Sequence, residues 1–159
     1  MKDIIGRYMT AGWSLLAGRT TYEDLYEGWV VRQPSSAMTQ ALTGVRKFVA
    51  SYDPGYEPRW ENSMLLAGEA RQTVLELKAT HDRPVIIFGS GRLVGSLMQG
   101  RLIDELVLMI HPLVLGKGLR FFDAAPALAR LKLADQAATD TGVAILIYSR
   151  AADEPTATR

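Results

Sequence analysis

RPVIIFGSGRLVGSLMQGRLIDELVLMIHPLVLG, at residues 83–116, predicts a strand, a helix and a second strand in succession. The apolar run at residues 85–88 is too short for a helix and rich in β-branched residues, which is typical of a strand covered on both faces. The apolar residues of 93–98 then fall on one helical stripe, which Gly100 ends. A second apolar segment, at residues 106–115, follows a crossover long enough to bring the two strands parallel.

A glycine-rich turn, Gly89-Ser90-Gly91-Arg92, joins the first strand to the helix. The first amides of a helix lack carbonyl partners and carry partial positive charge, so an anion is stabilised there. The two glycines would let a pyrophosphate approach the backbone, Ser90 could cap the helix, and Arg92 adds a cation. The motif lacks the third glycine of a dinucleotide fingerprint and the lysine of a P-loop. It is equally compatible with a tight serine-capped turn that binds nothing.

Composition restricts the class of protein. The 159 residues, 48% of them hydrophobic, predict a single domain over residues 1–150 with a flexible tail at 151–159. The net charge of +1 and the scattered charges provide no basic surface for nucleic acid. Since no stretch approaches ~18 uninterrupted apolar residues and the amino end does not resemble a signal peptide, we expect no membrane association and a cytoplasmic location.

The residue types present also limit the chemistry. The chain has no cysteine, so disulfides, thiolate nucleophiles and cysteine-bound zinc are excluded. Its two histidines have no metal-ligand spacing, and we expect no metal site. These observations favour a small-molecule partner.

Similar chemistry recurs earlier in the chain. A predicted strand at residues 13–17 ends in Gly18, followed by Arg19, Thr20 and Thr21 at the start of a second helix. Glycine, a basic residue and hydroxyl groups therefore follow two different strands, and the two loops are candidates to face one ligand.

The remaining sequence predicts several further elements. Strands are expected at residues 47–51 and 64–67, and helices at residues 3–10 and 36–42 and, after Gly68, from near Glu69 to about Thr80. Asp140-Thr141-Gly142 has the chemistry of a hairpin turn, so the last strands, at residues 131–139 and 143–148, should be antiparallel.

Taken together, these segments resemble the dihydrofolate-reductase-like family. The nearest branch is the stand-alone relatives of the reductase domain of the bacterial bifunctional riboflavin-biosynthesis deaminase–reductase. The resemblance covers about residues 3–148 and lies in the order and spacing of LLAGRTTYE (15–23), KFVAS (47–51), WENS (60–63), FGSGRLVGSL (88–97), LIDELVLMIHPLVLGKG (102–118) and GVAILIY (142–148).

The resemblance implies an α/β fold, with a mixed, mostly parallel sheet flanked by helices and an antiparallel pair of strands at the carboxyl end. It also implies NADPH as cofactor and hydride transfer to a small heterocycle resembling 5-amino-6-(5-phosphoribosylamino)uracil or a pterin or folate. The positions that match the family's cofactor contacts are Gly18, Arg19, Thr20, Thr21, Ser51, Gly89, Ser90, Gly91, Arg92 and Leu93. Arg19 or Arg92 would bind a 2′-phosphate, although the family often has a second basic residue where this chain has Thr20.

By the same resemblance, Tyr22, Leu25 and Trp29 are candidate walls of the substrate pocket. Their spacing on a helix is also that of ordinary core residues, since buried aromatic side chains contribute much apolar area. Both interpretations stay open at the level of sequence.

The amino end departs from the family pattern. Family members usually begin with a further strand, which lies between the strands corresponding to residues 85–88 and 106–110. Its absence is compatible with a start codon chosen too late, a shortened version of the chain, or a protein that closes the gap with altered pairing or a partner. We expect a homodimer that buries the apolar surface left uncovered. The departure also removes the candidate proton donor, so the catalytic residue is unknown.

Two other functions fit the same residues. A catalytically inactive nucleotide-binding or assembly protein could retain the scaffold, and a flavin-binding module is a third alternative. Ser14, Ser90 and Ser96 lack a nucleophile-elbow sequence and a plausible histidine partner, so hydrolase chemistry has little support.

Overall fold

The protein folds into two β-sheets with helices. The structure is a computed structural model and describes residues 6–9, 12–88, 90–122 and 129–151. One sheet has four parallel strands and the other has three antiparallel strands. This confirms the predicted α/β class, with a parallel sheet flanked by helices and an antiparallel arrangement at the carboxyl end.

The helices and strands follow the predicted order. Along the chain they are α1 Gly6–Met9, β1 Ser14–Gly18, α2 Arg19–Leu25 with a π-helical continuation Tyr26–Val31, α3 Ala37–Gly44, β2 Arg46–Ser51, β3 Ser63–Ala67, α4 Ala70–Thr80, β4 Val85–Ile87, α5 Gly91–Gln99, β5 Glu105–Ile110, β6 Leu131–Ala138 and β7 Ala144–Arg150. The ends of the predicted first helix, Gly89 and the tail beyond Ala151 lie outside the described residues. The π-helical turn after α2 was not predicted.

The parallel sheet is built around β1, in the order β3-β2-β1-β4. Alternate residues of a strand point to opposite faces, and β1 is apolar on both. Leu15 and Val49 pack into one core cluster with Tyr22 of α2, and Leu16 packs into a second cluster on the opposite face with Val74 of α4. The helices therefore cover both faces of this sheet, as a parallel sheet requires.

The antiparallel sheet has the order β5-β7-β6, with β7 in the centre. Val143, Ile145 and Ile147 form its buried face. Gly142 adopts a left-handed backbone with φ +82° in the turn between β6 and β7, a conformation that glycine adopts without strain. The predicted hairpin is confirmed.

The two strands of residues 83–116 lie in different sheets. β4 is the last strand of the parallel sheet and β5 the first of the antiparallel sheet, and among the described residues each has one neighbouring strand. The resemblance places its additional strand between these two. All three residues of β4 are half-buried, and they contact the core on both faces as expected: Ile86 packs against the cluster of Tyr22, and Val85 and Ile87 pack against the cluster of Val74. β5 ends at Ile110, beyond which Leu113 and Val114 are exposed.

A buried lysine ties together three segments at the start of β2. Lys47 has no exposed surface, and its Nζ donates to the carbonyl oxygens of Thr43, Val45 and Glu61 at 3.1, 2.8 and 2.9 Å. Burial lowers the pKa of Lys47 from 10.5 to about 8, against the opposing effect of the Glu61 charge. Its ammonium group also lies 4.8 Å from the centre of the Trp60 ring.

We predict that Lys47→Met lowers the free energy of unfolding by about 3 kcal/mol at pH 7, because buried carbonyls lose their donor. Between pH 8 and pH 10.5 the folded wild type has lost the Lys47 proton that the unfolded chain retains, so its stability should rise with pH relative to the variant. Urea unfolding at pH 7 and pH 10 measures both effects. Lys132→Met, at an exposed position on β6, is the control. An unchanged stability, or a loss that does not grow with pH, would contradict this account.

Candidate functional site

The predicted cofactor-binding loops lie at one edge of the parallel sheet. The carboxyl ends of parallel strands share an edge, and β2, β1 and β4 are direct neighbours. Ser51 ends β2, Gly18 ends β1, and Ser90 and Arg92 follow β4. In open parallel sheets, ligands bind outside this edge.

The loops after β1 and β4 are in contact. A Cβ atom placed on Gly18 would lie 3.5 Å from Oγ of Ser90. This is an ordinary van der Waals distance, so Ser90 lies beside Gly18 and its approach does not depend on a glycine there. The sequence-based expectation that these loops face one ligand is compatible with this geometry.

Ser90 does not cap α5 in the predicted way. It occupies the N-cap position, but its backbone is left-handed with φ 65° and its side chain makes no capping hydrogen bond. Capping side chains usually belong to residues with extended backbones, which direct Oγ towards the helix amides. The prediction that Ser90 caps the helix is therefore wrong, and its left-handed backbone is a strained conformation of the kind often found at functional sites.

Gly91 and Leu93, two further predicted cofactor contacts, also pack against the rest of the chain. A Cβ atom on Gly91 would lie 3.1 Å from the carbonyl oxygen of Phe121, so the glycine makes room for the chain's own backbone. Leu93 is buried in the core cluster with Leu97, and only its backbone could contact a ligand. Gly89 lies outside the described residues.

Arg19 is held by groups that sequence reasoning did not assign to the site. Its NH1 donates to Oδ2 of Asp53 at 3.2 Å, and its guanidinium lies 4.5 Å from the centre of the Tyr56 ring. Asp53 accepts from the Gly55 amide through Oδ1, at 3.0 Å, and its own amide donates to Oγ of Ser51 at 3.1 Å. The loops after β1 and β2 are thereby linked.

A second layer of contacts holds Tyr56. Its hydroxyl donates to Oε1 of Glu23, and Arg59 donates to the other oxygen of that carboxylate at 2.9 Å. Burial, followed by the hydrogen bond to Glu23, raises the pKa of Tyr56, so its ring remains a neutral phenol under Arg19. The sequence signal for this network was weak, because Asp53 and Tyr56 belong to an ordinary turn sequence.

Thr20 and Arg92 are exposed at the same edge of the sheet, while Thr21 is half-buried. Arg92 lies in the first turn of α5. Both guanidinium groups proposed for phosphate binding, those of Arg19 and Arg92, are therefore accessible to solvent.

The residues predicted to line a substrate pocket pack against the core. Tyr22 is fully buried, and its hydroxyl accepts from the Trp60 amide at 2.7 Å and lies 3.0 Å from Oγ of Ser63. Leu25 and Trp29 are half-buried and pack against the same cluster. Tyr22 thus follows the core interpretation, while a pocket role for the other two stays a prediction.

Metal ligands and membrane-spanning helices are absent from the described residues in the following sense. Within them, no group of three or more histidine, cysteine, aspartate or glutamate side chains is arranged to hold a metal ion. No helix in these parts of the chain has the length and apolar character needed to cross a membrane.

Several solved structures have folds similar to that of this chain. A riboflavin biosynthesis protein from Shewanella sp. PV-4 has a TM-score of 0.72 and 20% identity, covering 96% of this chain and 81% of that one. The diaminohydroxyphosphoribosylaminopyrimidine deaminase/5-amino-6-(5-phosphoribosylamino)uracil reductase of Thermotoga maritima has a TM-score of 0.64 and 13% identity, over 94% of this chain and 48% of that one. Dihydrofolate reductase from Enterococcus faecalis, complexed with NADP(H) and RAB-propyl, has a TM-score of 0.59 and 17% identity, over 93% and 80%.

At these identities the likeness shows the fold alone, and this chain spans about half the length of the Thermotoga protein. A comparison with curated protein sequences found no match. The family model of the RibD C-terminal domain matches residues 27–145, which are 119 of the 159 residues. The Gly18–Thr21 loop precedes that match. The sequence resemblance is confirmed, and the chain belongs to the RibD C-terminal domain family.

Proposed function

We propose that this protein is a cytoplasmic NADPH-dependent reductase that transfers hydride to a small heterocyclic substrate. The observation that carries the proposal is the meeting of three loops at the carboxyl edge of β2, β1 and β4, with Arg19 and Arg92 exposed there. Membership in the RibD C-terminal domain family supports it.

The residues at this edge fit a dinucleotide. The Ser90 side chain makes no capping hydrogen bond to the first backbone amides of α5. Amides at the start of a helix are suited to binding a pyrophosphate. Arg92 would add its charge to that group, and Arg19 would bind the 2′-phosphate beside Ser51. The bound nicotinamide would supply the hydride, and the protein's part is to hold it against the acceptor and exclude water.

The substrate class follows from the relatives. The Thermotoga maritima protein is a 5-amino-6-(5-phosphoribosylamino)uracil reductase, and the Enterococcus faecalis protein is a dihydrofolate reductase. We therefore propose a ribosylaminopyrimidine-like or pterin-like heterocycle, with Leu25 and Trp29 beside it. We assign no catalytic acid.

The cofactor proposal predicts saturable binding of NADPH. Arg92→Ala should weaken the affinity about tenfold, because a charged hydrogen bond to phosphate is lost. Titration monitored by fluorescence of the reduced nicotinamide measures the dissociation constants.

Arg46→Ala is the matched control, since Arg46 is an exposed arginine at the first residue of β2, on the opposite edge of the sheet. It should bind like the wild type. Absence of binding up to millimolar NADPH would reject the reductase proposal, and equal losses in both variants would remove the assignment of Arg92.

The separation of β4 from β5 favours a second candidate, a nucleotide-binding or assembly protein without turnover. Among the described residues, the half-buried β4 has no neighbouring strand on the edge opposite β1. This candidate predicts normal NADPH binding with cofactor oxidation at background. Absorbance assays with ribosylaminopyrimidine, pterin and folate substrates distinguish the two, because substrate-dependent oxidation occurs only with the reductase.

We also propose a homodimer. The segment after β5 exposes several large apolar side chains, which monomeric proteins rarely group together, namely Leu113, Val114, Leu115 and Leu119. A symmetric dimer is the commonest assembly that covers such a surface.

Sedimentation velocity at micromolar concentration should therefore give a dimer. Val114→Asp should shift the protein towards monomer, because a charge would be buried in the contact. Leu75→Asp, at an exposed position on α4, should leave the dimer intact. A wild-type protein that sediments as a monomer would contradict the proposal.

A further inference from the structure

The carboxylate of Asp53 forms an ion pair with Arg19. The guanidinium group of Arg19 is the one that would bind the 2′-phosphate of the phosphorylated cofactor. Asp53 follows the end of β2 by two residues, and its Oδ2 accepts from NH1 of Arg19 at 3.2 Å. The two side chains are 55% and 51% exposed, so the pair faces solvent at the same edge as the proposed site.

Asp53 is held in this position by the turn that contains it. Its Oδ1 accepts from the Gly55 amide at 3.0 Å, and its backbone amide donates to Oγ of Ser51 at 3.1 Å. A side chain that accepts from the backbone two residues ahead forms a compact local turn. The carboxylate is therefore anchored beside Ser51 independently of its contact with Arg19.

Arg19 is also restrained, but it retains unused donors. Its guanidinium stacks on the Tyr56 ring at 4.5 Å, and Tyr56 is fixed in turn by Glu23. A guanidinium has five N–H donors, of which one is directed to Asp53. A phosphate that approached Arg19 at this place would lie close to the carboxylate as well.

The two forms of the nicotinamide cofactor would experience this pair differently. A 2′-phosphate dianion gains the attraction of Arg19 but is repelled by Asp53, and it must compete with the carboxylate for the guanidinium. An unphosphorylated ribose has a 2′-hydroxyl, which can donate a hydrogen bond to a carboxylate. The same carboxylate therefore opposes one form and accommodates the other.

We propose that Asp53 is a specificity-determining residue, which lowers the preference for the phosphorylated cofactor by holding Arg19 and repelling the 2′-phosphate. The inference rests on the proposed function, since it concerns how that site selects its dinucleotide. Thr20, which follows Arg19, is uncharged and therefore adds no second cation to offset Asp53.

The test compares binding of NADPH and NADH by wild type, Asp53→Asn and Glu57→Gln. Asparagine retains the oxygen that accepts from Gly55 but removes the charge, so the turn is preserved. Glu57 is a nearby exposed carboxylate, and its glutamine variant changes the net charge equally. Asp53→Asn should tighten NADPH binding about five- to tenfold and leave NADH unchanged or weaker, whereas Glu57→Gln should leave the ratio unchanged.

Salt provides a second readout. Because the pair is exposed, the gain from Asp53→Asn should shrink when the titration is repeated at high ionic strength. In an Arg19→Ala background, removing the Asp53 charge should still favour NADPH, since the repulsion does not require Arg19.

The outcomes separate the two proposals. If both dinucleotides bind and Asp53→Asn changes neither, or changes both by the same factor, the role of Asp53 is overturned while the reductase proposal stands. If neither dinucleotide binds to any of the proteins, the proposed function fails and the role of Asp53 fails with it.

Discussion

The burial of β1 between β2 and β4 is the constraint on which the rest of the structure depends. Leu15 and Leu16 alternate between the two faces of the sheet, and each is enclosed by helices on its own side. A strand buried on both faces must have strand partners on both edges, since its amides and carbonyls have no water to bind. The parallel register that satisfies them also brings the ends of three strands to one edge.

At that edge, basic and acidic side chains are linked to each other in one network of contacts. Arg19 lies between the Asp53 carboxylate and the Tyr56 ring, and Glu23 joins Tyr56 to Arg59. Exposed ion pairs contribute little to stability, typically below about 1 kcal/mol, so the network serves mainly to position its side chains. An anion that binds to Arg19 would either displace the Asp53 carboxylate from the guanidinium group or lie beside that carboxylate and be repelled by it.

The segment between α5 and β5 is held by side chains from both parts of the fold. Arg150 of β7 donates to the Arg101 carbonyl, and Lys78 of α4 donates to the Leu102 carbonyl and to the Asp104 carboxylate. β4 and β5 nevertheless lie at the ends of different sheets, and both are apolar. An apolar strand with an open edge tends to pair with another chain. Among the described residues, the exposed apolar segment after β5 extends this surface.

Hydrophobic periodicity and turn chemistry located the helices and strands to within a few residues, from β1 through the hairpin of β6 and β7, because these signals are local. Local chemistry also identified Gly18, Arg19, Ser51 and the residues around Ser90 as strand ends. Only the tertiary structure paired β5 with β7 in a second sheet, left Ser90 without the expected side-chain capping bond, and brought Asp53 to Arg19. Those features depend on which distant segments come into contact. Arg19 and Asp53 are 34 positions apart, and a contact at that separation produces no hydrophobic periodicity that could be recognised in a single sequence.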